Sequence, residues 1–172
     1  MGNESSPWPA LSAFCPRCGE AEIARPEGPF PVCAACGFSR RRFPLVGVAV
    51  VIRDEEGRVL LGRRAYGTWP GLWCIPCGAV EWDEHVREAA EREFLEETGI
   101  EVRTGDVVAV HSNFHQPEKH SVGIWFAGEV VGGELERGDG ELMEADWFDP
   151  AEPPELAFPT DALVLKQLAA AG

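Results

Sequence analysis

One helix sets the terms for the rest of the chain, because the face it must bury is also its acidic face. The segment reads as a helix with Asp83 as N-cap, running to Thr98, and Gly99 at the C′ position. At 100° per residue with Glu93 at zero, Glu96 and Glu97 fall at about −60° and +40°, and Val86, Ala90 and Phe94 at about 20°, 60° and 100°. Three carboxylates therefore share the apolar stripe, while Glu84, Glu88 and Glu91 lie round the back. Like charges at these spacings cost a few tenths of a kcal/mol per pair, and desolvation beside a core adds more. The arrangement needs cationic compensation. Arg92, one turn before Glu96, neutralises one carboxylate and aims the others. A divalent cation suits the rest, and oxygen-only donors favour Mg²⁺ or Mn²⁺.

The surrounding texture predicts the surface on which this helix docks. Leu45 to Ile52 is β-branched and apolar, a strand buried on both faces. A turn at Asp54–Gly57 returns the chain through Arg58–Gly62 as a hairpin. Further strands are expected at Leu72–Pro76, Glu101–His111, Val122–Val131 and Ala145–Phe148, with a last helix from Thr160 to Ala170. Strands outnumber separated helices, which makes this an α+β domain with a mixed sheet.

Ahead of it lies a segment that cannot fold on apolar contacts alone. Phe14-Cys-Pro-Arg-Cys-Gly19 and Val32-Cys-Ala-Ala-Cys-Gly37 are near copies, each ending in the glycine that a tight knuckle requires. Cys15, Cys18, Cys33 and Cys36 supply four thiolates for a closed, structural Zn²⁺ site, with two short strands and a turn through Arg25–Pro29 between the pairs. Residues 11–42 hold too few large apolar side chains to fold without such a staple. The expected organisation is a tail at 1–10, a zinc ribbon at 11–42 and the α+β domain at 43–172. Arg40-Arg41-Arg42 at the joint is open to two readings, a phosphate contact or a solvated linker.

The chain carries 15 Lys and Arg against 29 Asp and Glu, a net charge of −14. Such a surface disfavours general nucleic-acid or anionic-membrane binding, but admits a small phosphorylated ligand with metal cations between it and the protein. Met1–Ala10 has neither a basic n-region nor an apolar h-region, and no apolar run approaches the ~20 residues that span a bilayer, so a cytoplasmic protein is expected.

Gly78, Glu84, then Arg92-Glu93-Phe94-x-Glu96-Glu97-x-Gly99-Ile100 resemble the 23-residue signature of the Nudix hydrolases. Phe94 is aromatic where a branched aliphatic is usual. Gly71-Leu-Trp73-x-x-Pro76 entering the box and Glu144-Ala-Asp-Trp147-Phe leaving the core extend the likeness from about Leu45 to Phe158. The resemblance implies an α/β/α sandwich and a pyrophosphatase that cleaves a nucleoside diphosphate linked to another moiety by metal-assisted attack of water on phosphorus. It also implies Glu93 and Glu97 as principal metal ligands, Glu96 as a further ligand or water-orienting base, and Arg92 as their holder. Glu84 is then a structural acid paired with Arg92, Gly78 and Gly99 are structural glycines, and Cys77 lends a backbone carbonyl to the metal. Glu141 or Glu144 supplies a distal catalytic carboxylate.

A zinc ribbon ahead of such a domain is the layout of NADH, ADP-ribose and FAD pyrophosphatases, which implies a substrate of that type, release of AMP and a homodimer. The rival readings are a nucleoside triphosphate pyrophosphohydrolase and a non-catalytic nucleotide sensor. Arg63 and Arg64 are candidates for the phosphates and Phe114, with Trp69, Trp73 and Trp125, for stacking on the base. Those aromatics also suit a core, and His111, His115 and His120 read as loop polar residues. Cys77 stands where relatives carry glycine, and with Cys74 makes a third Cys-x-x-Cys: a redox pair, a second zinc site, or two small buried residues.

Overall fold

In the computed structural model the described residues are 14–21, 23–24 (backbone alone), 32–39, 43–116, 120–136 and 140–171. The tail at 1–10, the Arg25–Pro29 turn and Arg40–Arg42 lie outside them. The chain forms two compact units, Met1–Pro44 and Leu45–Gly172. In the first, β1 (Ile23–Ala24) pairs antiparallel with β2 (Val32–Cys33).

The second unit carries two sheets. β3 (Leu45–Val51) lies between β6 (Cys77–Ala79), antiparallel, and β8 (Ser121–Gly133), parallel, and β8 pairs antiparallel with β7 (Ile100–Asn113). The other sheet has β4 (Val59–Arg64) between β5 (Trp73–Cys74) and β9 (Leu142–Phe148), all antiparallel. The helices are α1 (Val86–Thr98) and α2 (Pro159–Ala171). None of the described helices is long and apolar enough to cross a membrane.

Alternation explains the apolar run from Val48 to Ile52, whereas Leu45 and Val46 at the start of β3 are exposed, contrary to a strand buried on both faces throughout. Val48, Val50 and Ile52 join Ala89, Ala90 and Phe94 of α1 in one core, while Ala49 and Val51 join Val164 and Leu165 of α2 in another. β4 divides the same way, with Leu60 toward α1 and Val59 and Leu61 toward α2. Two faces of sheet are thus each sealed by a helix, an α/β/α arrangement.

Three sequence expectations change. The Leu45–Ile52 and Arg58–Gly62 strands do not form a hairpin ladder: they touch at an isolated Arg53–Val59 bridge and enter different sheets, since each face of β3 is already committed to a helix and both its edges to β6 and β8. Leu72–Pro76 is not one strand, because the chain leaves β5 after Cys74 and re-enters the other sheet at Cys77. The N-cap is His85, in extended conformation and without a side-chain cap bond, rather than Asp83. Glu84 Oε2 instead accepts from the Glu81 N–H at 3.2 Å, holding the loop open until His85. At the other end Gly99 adopts φ 73° and its N–H donates to the Leu95 carbonyl at 2.8 Å, the left-handed stop that glycine permits.

Phe94 is among the largest fully buried side chains and fills the space between α1 and the sheet. Phe94→Ala is expected to cost about 3–5 kcal/mol in urea unfolding; a loss below ~1 kcal/mol would mean that α1 does not anchor this core.

Candidate active site

The fork of Arg92 organises the N-terminal half of the site. Its Nε and one terminal nitrogen donate to the two oxygens of Glu84 at 2.7 and 2.8 Å, a bidentate pair. The other terminal nitrogen lies 2.9 Å from Glu93 and 3.0 Å from Glu96. The guanidinium holds the Glu84 carboxyl below its usual range and is itself held firmly protonated by Glu84 and Glu93. Glu96 remains largely exposed, so of the three carboxylates on the stripe it is the one left toward water.

Glu93 and Glu97 face inward. Gly78 makes room for Glu93, since a side chain at this position would collide with the Glu93 carboxyl group. Burial pushes the Glu93 carboxyl up against the pull of Arg92, with Glu96 and Glu141 adding repulsion. Glu97 is 2% exposed. Its Oε2 accepts the Cys77 backbone N–H at 2.9 Å, while its Oε1 is buried without a hydrogen-bond partner. Desolvation drives its pKa well above the ordinary carboxylate range, and the Cys74, Glu141 and Glu93 charges push the same way. An orphaned buried oxygen costs free energy unless something electropositive meets it. The donor set around it, carboxylates and a backbone segment, suits a hard divalent cation. The box carboxylates do not form a tight cluster of three: among the described residues, the four ribbon cysteines are the one group of three or more whose ligand atoms all lie within 4.8 Å of one another.

Beside Gly78 opens a cavity of about 290 Å³, walled by β3 and β8 and by the start of α2. Glu141, half-buried, lines it. So does Arg64, whose Nε donates to the Thr68 carbonyl at 2.8 Å and whose guanidinium sits 5.2 Å from the Phe158 ring centre. Arg63 is directed elsewhere, donating to the Gly71 carbonyl at 2.8 Å and pairing with Glu144 at 3.3 Å. Glu144 borders a second recess of about 270 Å³ together with Glu97. Phe114 stands exposed, edge-on to His120, and Trp69, also exposed, contacts His115 and Phe158. Trp125 is core, and Trp73 packs on Phe148. The three histidines are dispersed: His111 against Trp125, His115 between Trp69 and Phe158, His120 beside Phe114.

The residue that sequence reasoning passes over is Asp161. It is 2% exposed, accepts the Ile75 N–H at 3.0 Å and the Trp125 Nε1–H at 3.2 Å, and lines the cavity. Burial pushes its pKa to about 7. In the sequence it is an acid in the first turn of a helix, for which the helix dipole is explanation enough. Cys74 is inaccessible and Cys77 half-buried at the cavity wall; contact with Cys74, together with desolvation, raises the Cys77 thiol well above the ordinary range, which disfavours the reactive thiolate.

In the smaller unit the two knuckles repeat each other. The Gly19 N–H donates to the Cys15 carbonyl at 2.8 Å and the Gly37 N–H to that of Cys33 at 2.9 Å, with both glycines at positive φ, 78° and 69°. Cys15 and Cys36 sulfurs are 3.8 Å apart and those of Cys18 and Cys33 3.6 Å. Tetrahedral zinc with Zn–S bonds of about 2.3 Å sets sulfurs about 3.8 Å apart, so the four fit that ion.

Comparison with known proteins agrees with this geometry. Residues 44–168 match the family model described as NUDIX domain. An ADP-ribose pyrophosphatase of Methanocaldococcus jannaschii is 35% identical over 122 residues, covering 70% of this chain and 71% of that protein. An NAD-capped RNA hydrolase NudC of Stutzerimonas stutzeri is 29% identical over 141 residues, covering 82% of this chain but 49% of that protein, so the chain spans about half the length of such relatives. The crystal structure of a NUDIX hydrolase from Nitrosomonas europaea superposes with a TM-score of 0.75 at 30% identity, covering 89% of this chain and 88% of that one.

Gly78→Ala is expected to keep the fold, measured by circular dichroism, but to displace Glu93 and weaken Mn²⁺ binding by about 10–100-fold in an EPR titration. Unchanged affinity would show that Glu93 does not hold the ion.

Proposed function

The chain belongs to the NUDIX family, and from that membership we propose that it hydrolyses the diphosphate bond of a nucleoside diphosphate linked to another moiety, of the ADP-ribose, NADH or FAD type, releasing AMP. The observation that carries the reading is the orphaned, buried Oε1 of Glu97, whose other oxygen is held by the Cys77 N–H; Cys77, and Gly78 against which Glu93 packs, both line the cavity of about 290 Å³.

In this reading Glu93 and Glu97, with the Cys77 carbonyl, hold Mg²⁺ or Mn²⁺, and Glu96 completes the set or orients water. The ribbon cysteines hold structural Zn²⁺. The bound divalent cations neutralise the diphosphate oxygens and lower the pKa of water. The protein's own part is to aim. Arg92 fixes Glu93 and Glu96 relative to the Glu84 loop, and the Cys77 N–H fixes Glu97. Arg64, lining the cavity, offers its guanidinium edge to a phosphate. Glu141 lines the same cavity, whereas Glu144 borders the other recess, so Glu141 is the distal carboxylate we assign to take the proton of the attacking water. Water attacks phosphorus, the anhydride P–O bond breaks, and two phosphomonoesters leave.

A second reading, suggested by relatives bearing the name NAD-capped RNA hydrolase, is that the same bond is cut at the 5′ end of an RNA. The test is turnover of the purified protein with Mg²⁺ or Mn²⁺ against ADP-ribose, NADH, FAD and nucleoside triphosphates. AMP from the diphosphate-linked compounds is expected, with Glu97→Gln about 10²–10³-fold slower. Pyrophosphate from triphosphates alone would instead make it a triphosphate pyrophosphohydrolase, and binding without turnover a sensor.

A further inference from the structure

The negative charge is not spread along the chain. From Leu45 onward there are 25 Asp and Glu against 10 Lys and Arg, whereas Met1–Pro44 carries 4 against 5. The larger unit is therefore more acidic than the chain as a whole, and the arginines described in it, apart from Arg64 in the cavity, already have partners. Arg58 pairs with Asp54 and Glu56, Arg63 with Glu144, and Arg92 with Glu84, Glu93 and Glu96. Arg103 lies 3.8 Å from Glu129, Arg87 sits over the ring of Phe126, and Arg53 donates to the Leu168 carbonyl. On the loop and first turn that lead into the box helix, Glu81, Asp83 and Glu88 are exposed.

We infer that this domain selects its substrate by charge: it takes the free dinucleotide-type diphosphate and turns away the same diphosphate at the 5′ end of an RNA. The inference rests on the proposed diphosphatase reading and names which member of that substrate class the site admits. A free compound brings two phosphates, both within reach of the cations that Glu93 and Glu97 would hold. An RNA brings one further charge per nucleotide, and those meet the exposed carboxylates of the domain with few uncommitted cations to neutralise them. A protein that binds RNA through its phosphates loses affinity as salt rises, because counterions compete. Here the sign reverses: salt screens a repulsion, so RNA should become a better substrate as ionic strength increases.

The experiment compares kcat/KM for free NADH and for a short 5′-NAD-capped RNA, at fixed Mg²⁺, between about 10 mM and about 150 mM salt, over which the screening length falls from about 30 Å to about 8 Å. The capped RNA is expected to be much the poorer substrate at low salt and to improve about tenfold at the higher salt, with the free compound changing less than about twofold. Neutralising Glu81, Asp83 and Glu88 together (E81Q, D83N, E88Q) should raise turnover of the RNA at low salt and leave NADH unaffected. Equal rates on both substrates at low salt, or a rate on RNA that falls with salt, would overturn the inference. Failure to cleave either substrate would count against the proposed function instead. Charge selection is then read from fluorescence anisotropy of labelled capped RNA: absent binding, or affinity that rises with salt, supports it, and affinity that falls with salt overturns it.

Discussion

A carboxylate shut away from water with one oxygen unmet is the constraint to which the rest of the larger unit answers. Burying an ionised group alone is prohibitive, so a protein that keeps Glu97 at 2% exposure must either protonate it or supply positive charge. Its neighbours raise its pKa, which favours the first outcome, and leave the second to a bound cation. The Cys77 amide takes one oxygen, Gly78 removes the side chain that would exclude Glu93, and Arg92 is spent on Glu84, Glu93 and Glu96, not on Glu97. What is left is an electronegative corner, which the proposed function fills with a divalent cation.

The scaffold makes that corner rigid by using β3 twice. Its alternate residues seal against α1 on one side and α2 on the other, and its antiparallel edge holds β6, so that Gly78 lies opposite Val48 at the middle of the unit. α1 therefore meets β6 at a depth set by Phe94 and Val48 in one core, not by the acidic residues themselves. The strain of gathering like charges is offset by apolar packing one turn away. α2 contributes from the far side: Asp161 bonds to the Ile75 amide and so fixes the two-residue link between β5 and β6.

The box helix and the ribbon were legible because each combines a period with a chemical oddity. Carboxylates at Glu93 and Glu97 on the stripe of Val86, Ala90 and Phe94 have few explanations, and two near-copied Cys-x-x-Cys-Gly knuckles have fewer. Helix ends followed where one residue decides the matter, as at Gly99, and shifted where a long-range pair decides it, as at Glu84 and Arg92. The switch of sheets between Cys74 and Cys77 leaves no local trace, since a strand and a crossing between strands look alike over five residues. The cavity was the least legible part. Arg64, Glu141, Phe158 and Asp161 come from distant segments, and each alone has an ordinary structural explanation. Phe114, which looked apt for stacking, is exposed beside His120 instead.

The most direct test of the account is thermal unfolding of the zinc-loaded protein and of Glu97→Gln, with and without Mg²⁺. If the buried carboxylate is kept for a cation, Mg²⁺ at about 100 times its dissociation constant stabilises the parent protein by about 2.7 kcal/mol. Glu97→Gln, which replaces the desolvated carboxyl by a neutral amide, should unfold at or above the metal-free parent's temperature and ignore the ion. A parent protein indifferent to Mg²⁺ and Mn²⁺, or a Glu97→Gln variant that loses several kcal/mol of stability without metal, would contradict the claim that this corner exists to bind one.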